Sequence, residues 1–182
     1  YRDVINQSKY PYYASNKDKT LSVPFTAEET LLVKAEAEII QKQYDAAVAD
    51  LNTWTSAYLN TTKKSFTKED IIAFYKALEY NSEAEPTMKK KLHPAFTLDG
   101  GEDQEMLLHH LLQCRRVATV HEGLRWFDIR RYGIEVYRFV HDTKDRAKVI
   151  VAKTLSSWDE HTTFQIPQNV RNAGLEPTPR TK

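Results

Sequence analysis

Apolar residues recur at helical spacing through most of the first two thirds of the chain, and capping signals mark where the runs begin. Thr26 stands three residues before Glu29, the spacing of a capping box. Leu31, Leu32, Ala35 and Ile39 follow on one stripe. Gln41-Lys-Gln reads as a turn, and Tyr44, Ala47, Val48, Leu51, Thr55 and Tyr58 form a second stripe. So short a link predicts two antiparallel, packed helices. Thr67 with Asp70 repeats the capping spacing, with Phe66 and Ile71 placed as a hydrophobic staple. Ile71, Ile72, Phe74, Tyr75 and Leu78 continue that helix. Residues 81–101 carry Pro86, Pro94 and Asp99-Gly-Gly and read as a long connection with a helical turn near Met88–Leu92. A fourth helix is predicted from about Glu102 to Val120, and a fifth from about Glu122 to Tyr132, with Gly133 as its left-handed stop.

After Gly133 the pattern changes. Val149-Ile-Val-Ala is a β-branched run, and Thr162-Thr-Phe-Gln-Ile-Pro alternates until Pro167, so both read as short strands or extended segments. Residues 1–24 and the tail from Ala173 are turn-rich and irregular. The expectation is a mainly α fold: residues 1–182 as a single domain, 26–132 helical, and 134–182 loops with a few short strands. The first helix pair is similar to a tetratricopeptide unit, with Ala35 and Ala37 in one helix and Tyr44-Asp-Ala-Ala opening the next. One period of about 34 residues further on, the small-residue pattern does not repeat. An ordinary helical hairpin is the alternative.

Composition narrows the chemistry. Among 182 residues, 26 Lys and Arg face 25 Asp and Glu, so the net charge is +1 and no broad electrostatic attraction to nucleic acid is expected. The single cysteine, Cys114, lies among leucines and reads as a small core residue. No apolar run reaches the length of a membrane span. The opening residues, YRDVINQSKY, match neither a signal peptide nor a lipid-attachment site, and the chain reads as processed or as part of a longer one.

The densest chemistry lies in His121–Gly133, HEGLRWFDIRRYG. On a continuous helix, Leu124 and Phe127 point one way and Trp126 and Ile129 nearly the opposite way, which predicts burial on two sides. Glu122, Arg125, Asp128 and Arg131 alternate in sign at i, i+3 spacing, so the helix supplies partners for its own buried charges. Glu122 and Asp128 stand about 9 Å apart along such a helix and point in different directions. Neighbouring arginines are expected to keep both ionised, so a catalytic acid pair is not predicted. His121-Glu122 begins like a zinc-protease motif, but Arg125 occupies the place of the second histidine. His109 and His110 diverge on a helix and read as surface or boundary residues. No catalytic residue, cofactor or metal site is expected.

Arg116 followed by Glu122-Gly-Leu-Arg-Trp-Phe-Asp-Ile-Arg-Arg-Tyr-Gly resembles the signature of the RagB/SusD family. Glu29–Ala37 with Ala46–Asn52 is similar to that family's upstream helical pair, and Phe164-Gln-Ile-Pro-Gln to its late Ile-Pro segment. Departures are His121 before the Glu-Gly pair, Val117-Ala-Thr-Val, and the Glu-Pro-Thr-Pro-Arg ending. The resemblance covers about Glu29 to Pro167 and implies the C-terminal part of a longer protein. It implies a non-catalytic, cell-surface lipoprotein of the Bacteroidetes outer membrane. Such a protein binds a glycan or other nutrient over a TonB-dependent transporter, without nucleic acid, and reaches the membrane only through a lipid anchor outside this segment. The alternative is a tetratricopeptide-like protein–protein interaction module. Arg116, Glu122, Gly123, Arg125, Trp126, Phe127, Asp128 and Arg131 are then a structural signature. Candidates for ligand contact are the loop aromatics Tyr12, Tyr13 and Trp158.

Overall fold

The capping box that Thr26 and Glu29 predict is present in the computed structural model, which describes residues 26–59, 62 and 65–179. The Thr26 hydroxyl accepts the Glu29 N–H at 3.1 Å, and the Glu29 carboxylate accepts the Thr26 N–H at 3.1 Å. Helix α1 (Ala27–Ile40) starts there. It ends where Lys42 adopts φ 61 and the Gln43 N–H returns to the Glu38 carbonyl at 2.8 Å, closing the last turn. Helix α2 (Tyr44–Tyr58) follows and packs on α1. The fold is mainly helical, with a pair of short antiparallel strands near the C-terminus. The chain divides into two compact units between Asp70 and Ile71.

In the first unit, Leu32, Ala35 and Ile39 of α1 and Ala47, Val48, Leu51 and Trp54 of α2 are buried. Ala35 and Ala47 are 0% exposed, so small side chains sit in the core of both helices. The buried Trp54 indole N–H donates to the Glu28 carboxylate at 2.9 Å, giving a buried charge a donor. At the surface Lys34 reaches Glu38 at 3.1 Å and Asp50 at 2.6 Å. The Asn52 amide accepts the Phe66 N–H and donates to the Phe66 carbonyl, both at 2.9 Å. Thr67 and Asp70 cap helix α3 (Lys68–Ala77) reciprocally, at 3.0 and 3.2 Å.

The second unit is organised around helix α4 (Asp103–Ala118). Met106, Leu107, Leu108, Leu111 and Leu112 are at most 4% exposed, and Glu105, His109 and Cys114 are buried beside them. Helix α5 (Arg125–Arg131) is shorter than expected. His121 has φ 68 and Gly123 φ 77, so the chain turns twice before helical backbone resumes at Arg125. Strand β1 (Val136–His141) pairs antiparallel with β2 (Val149–Leu155), with a bulge between Arg138 and Phe139. A 3-10 turn, Glu160–Thr162, and helix α6 (Gln168–Asn172) complete the unit. No described helix is long and apolar enough to cross a membrane.

Two expectations change. Residues 88–92 form no helical turn; the Asn81 N–H takes the Lys89 carbonyl at 2.8 Å, and the Asn81 side chain accepts the Thr87 N–H at 3.1 Å. Of the two alternatives for residues 162–167, the strand does not form, because Asp159 caps a 3-10 turn through the His161 N–H at 2.7 Å and Pro167 opens α6. Strand β1 and helix α6 carry no pattern that predicted them.

Trp54→Phe keeps an aromatic ring but removes the indole donor to Glu28 and leaves part of the indole volume unfilled. It is expected to lower stability by about 1–3 kcal/mol, the cost of leaving a buried acceptor short of a donor. Urea unfolding measures it, and an unchanged midpoint contradicts this role.

Candidate functional site

The signature segment begins at the C-terminal end of α4 and runs through α5. Asp128 is buried and accepts from Arg115 at 3.4 Å and from Arg125 at 3.3 Å. The Arg125–Asp128 rung of the predicted ladder lies on α5, and a second cation for Asp128 comes from α4. Glu122 lies in the turn before α5, half-buried, with its N–H on the Thr119 carbonyl at 3.1 Å. Arg131 is exposed and stands over the Phe96 ring at 5.6 Å. Arg116 and Gly123 are exposed.

Burial raises the Asp128 carboxyl above the ordinary aspartate range despite the opposing pull of Arg115 and Arg125. Burial likewise lowers Arg125, although Asp128 opposes it. Desolvation thus outweighs the two arginines in setting the direction of the shift. The Lys90 ammonium enters the same neighbourhood, donating to the Asn81 side chain at 2.7 Å and to the Thr87 carbonyl. Burial, then Arg116 and Arg125, bring Lys90 down to about 8.

The expectation of two buried apolar flanks is also corrected. Phe127 is 64% exposed. Trp126 is half-buried and lies 6.1 Å from the exposed Phe164 ring, while its indole nitrogen is enclosed with no hydrogen-bond partner. The two turns at His121 and Gly123 shorten the helix, so its ends no longer bury both flanks.

A second polar centre escaped the sequence reading. The buried Glu105 carboxylate accepts the Tyr80 hydroxyl at 2.9 Å and the Gly101 N–H, and meets the His109 ring nitrogen at 3.2 Å. His109 is therefore buried, not a surface residue, and Tyr75 stacks on it at 5.8 Å. His110 is half-buried and burial lowers it to about 4. Burial disfavours the ionised Glu105, but the bonds from His109, Gly101 and Tyr80 outweigh that and hold it at about 2. The i, i+4 spacing of Glu105 and His109 was visible in the sequence. Cys114 is buried, its sulfur 3.9 Å from the His110 ring nitrogen, and burial pushes its thiol to about 12.

The third feature surrounds Gly133, whose φ is 55. A Cβ there would fall 2.5 Å from the His93 carbonyl oxygen, 2.7 Å from the Ser157 hydroxyl and 2.9 Å from the Trp158 indole nitrogen. Three segments meet at this point. The His93 N–H donates to the Tyr132 carbonyl at 2.7 Å, the Ser157 hydroxyl to the Gly133 carbonyl at 2.7 Å, and the Trp158 indole N–H to the His93 carbonyl at 2.8 Å. Trp158 itself has φ 60 and is 54% exposed. Of the sequence candidates for ligand contact, Tyr12 and Tyr13 lie outside the described residues. Among the described residues, no group of three or more His, Cys, Asp or Glu is arranged to hold a metal.

Glu105 makes stability depend on acid. Its folded value lies below the ordinary 4.5, so its contribution is complete above about 4.5 and is lost as the pH falls towards 2. Wild type is expected to lose melting temperature across that window. Glu105→Gln is expected to start lower at pH 7 and to change less across it, as thermal melts at stepped pH report. Gly133→Ala combines a strained φ with three collisions and is expected to cost about 2 kcal/mol or more. Denaturant unfolding followed by tryptophan fluorescence checks it, and a variant matching wild type contradicts the close approach.

Compared with family models, curated proteins and solved structures, the chain shows no match in any of the three.

Proposed function

We propose that the chain is a non-catalytic nutrient-binding component, similar to the C-terminal part of RagB/SusD proteins. It takes a saccharide and works beside a TonB-dependent transporter at the outer membrane. The motif from Arg116 to Gly133 supports the family reading, and Trp158 supports the saccharide. The residue is more than half exposed, yet its backbone sits in the left-handed region and its indole N–H is fixed on the His93 carbonyl. A bulky residue in that region costs about 1–3 kcal/mol and persists where its surroundings hold it there. A large aromatic face presented in a fixed pose suits stacking on the apolar face of a sugar ring. Phe127 and Phe164, 64% and 75% exposed, add further aromatic surface.

A second reading has its own support. The α1–α2 pair, with a three-residue turn and fully buried Ala35 and Ala47, suits a tetratricopeptide-like module that binds proteins and no glycan. The helix pair supports this interaction module more directly than it supports saccharide binding.

Affinity electrophoresis and a glycan array test the first reading. Trp158→Ala is expected to weaken retention of the bound saccharide by about tenfold, and Trp158→Phe to keep most of it. Retention of a protein partner with no saccharide retained at all overturns the first reading in favour of the second.

A further inference from the structure

We propose that the solvent face of the β1–β2 ribbon and the loop at its tip bind an acidic saccharide chain, one bearing carboxylate or sulfate groups. This rests on the saccharide-binding reading above and adds the class of sugar and a second contact region. The register sets Arg138 directly opposite Lys153. Alternation, with the bulge beyond Arg138, places Val136 and Val140 on their face, opposite Leu155 and Ile150. The other face carries Tyr137 and Phe139, whose rings are 6.3 Å apart, and Thr154, which donates to Glu83 at 3.0 Å. The Arg138–Lys153 face is therefore turned away from Glu83.

Like charges directly opposite each other destabilise a ladder, so this pair calls for an anion between its heads. Lys144, Arg146 and Lys148 extend the cationic row into the loop, and all five cations are exposed. No ion pair forms at any of these five among the described residues. The two aspartates nearby are turned to local use: Asp142 accepts the Lys144 N–H at 2.8 Å and Asp145 the Ala147 N–H at 3.0 Å. Five cations against two carboxylates leave this ribbon at +3.

At the tip of the ribbon lies an open hollow of about 540 Å³ lined by His141, Asp142, Thr143 and Arg146, the last of these one of the five cations. An imidazole, a carboxylate, a hydroxyl and a guanidinium are groups that bond sugar hydroxyls and, through the arginine fork, a carboxylate or sulfate. Lys153 to Lys148 spans about 17 Å of strand, which suits a chain of sugars more than a lone anion. The face carries no aromatic ring for stacking bases, which disfavours a nucleic acid.

The test is affinity electrophoresis of the whole chain in gels containing polygalacturonate, dextran sulfate, fully methyl-esterified polygalacturonate or poly-glutamate. Retardation by polygalacturonate, by dextran sulfate or by both is expected, and it tells carboxylate from sulfate recognition. The ester and poly-glutamate are expected to leave mobility unchanged. Arg138→Glu with Lys153→Glu, and separately Lys144→Glu with Arg146→Glu, are expected to weaken binding by about tenfold with unchanged circular dichroism. Equal retardation by poly-glutamate, none by either anionic polysaccharide, or full binding by both variants overturns the proposal. If neutral oligosaccharides are still held through Trp158 while acidic ones are not, this inference alone falls. If no saccharide of any kind is held, the proposed function falls with it.

Discussion

Order in the second unit depends on one buried carboxylate. Glu105 sits in the first turn of α4, where a helix N-terminus favours negative charge. Its oxygens take a backbone N–H from Gly101, a hydroxyl from Tyr80 and a ring nitrogen of His109. The long segment between α3 and α4 lacks regular structure, so its shape comes from side chains together with a few backbone bonds. Lys89 continues the work, resting over the Tyr80 ring at 4.2 Å while its ammonium donates to the Leu78 carbonyl at 3.0 Å. A helix as enclosed as α4 can carry a charged residue because every part of that charge has somewhere to go.

What the sequence made legible follows from range. Both capping boxes were readable because cap and helix lie within four residues of each other. Gly133 was readable as a stop, since left-handed backbone strongly selects glycine. Strand β1 was not, because Val136–His141 becomes a strand through pairing with residues up to nineteen positions away, and the bulge shifts the pattern midway. The start of α5 was misplaced because a non-glycine residue, His121, takes positive φ together with Gly123. In the signature, the demand for a partner at Asp128 was legible from alternating charge. That the partner would be Arg115 was not, since it requires knowing how α4 meets α5.

The functional reading separates support from contact. Arg115, Arg125 and Asp128 join two helices through a core that is costly to desolvate, as the shifts of both Asp128 and Arg125 show. Their geometry offers no acid–base pair, and their neighbour Lys90 is occupied by Asn81 and Thr87. The surfaces proposed for a ligand lie elsewhere, on the pinned Trp158 and on the ribbon. The signature segment and the ribbon are thus adjacent in the chain and unlike in physical character: one encloses charge, the other displays it.

Cys114 gives the second unit a chemical property that its composition alone would not. Its sulfur is enclosed on α4 and its thiol is pushed to about 12, so almost none is thiolate at neutral pH. Alkylating reagents and other thiols can reach it only after α4 is uncovered. The folded chain is thereby protected from cross-linking to a second copy in oxidising surroundings. The rate at which a small alkylating reagent modifies this thiol is a clock for how often the centre of the unit opens.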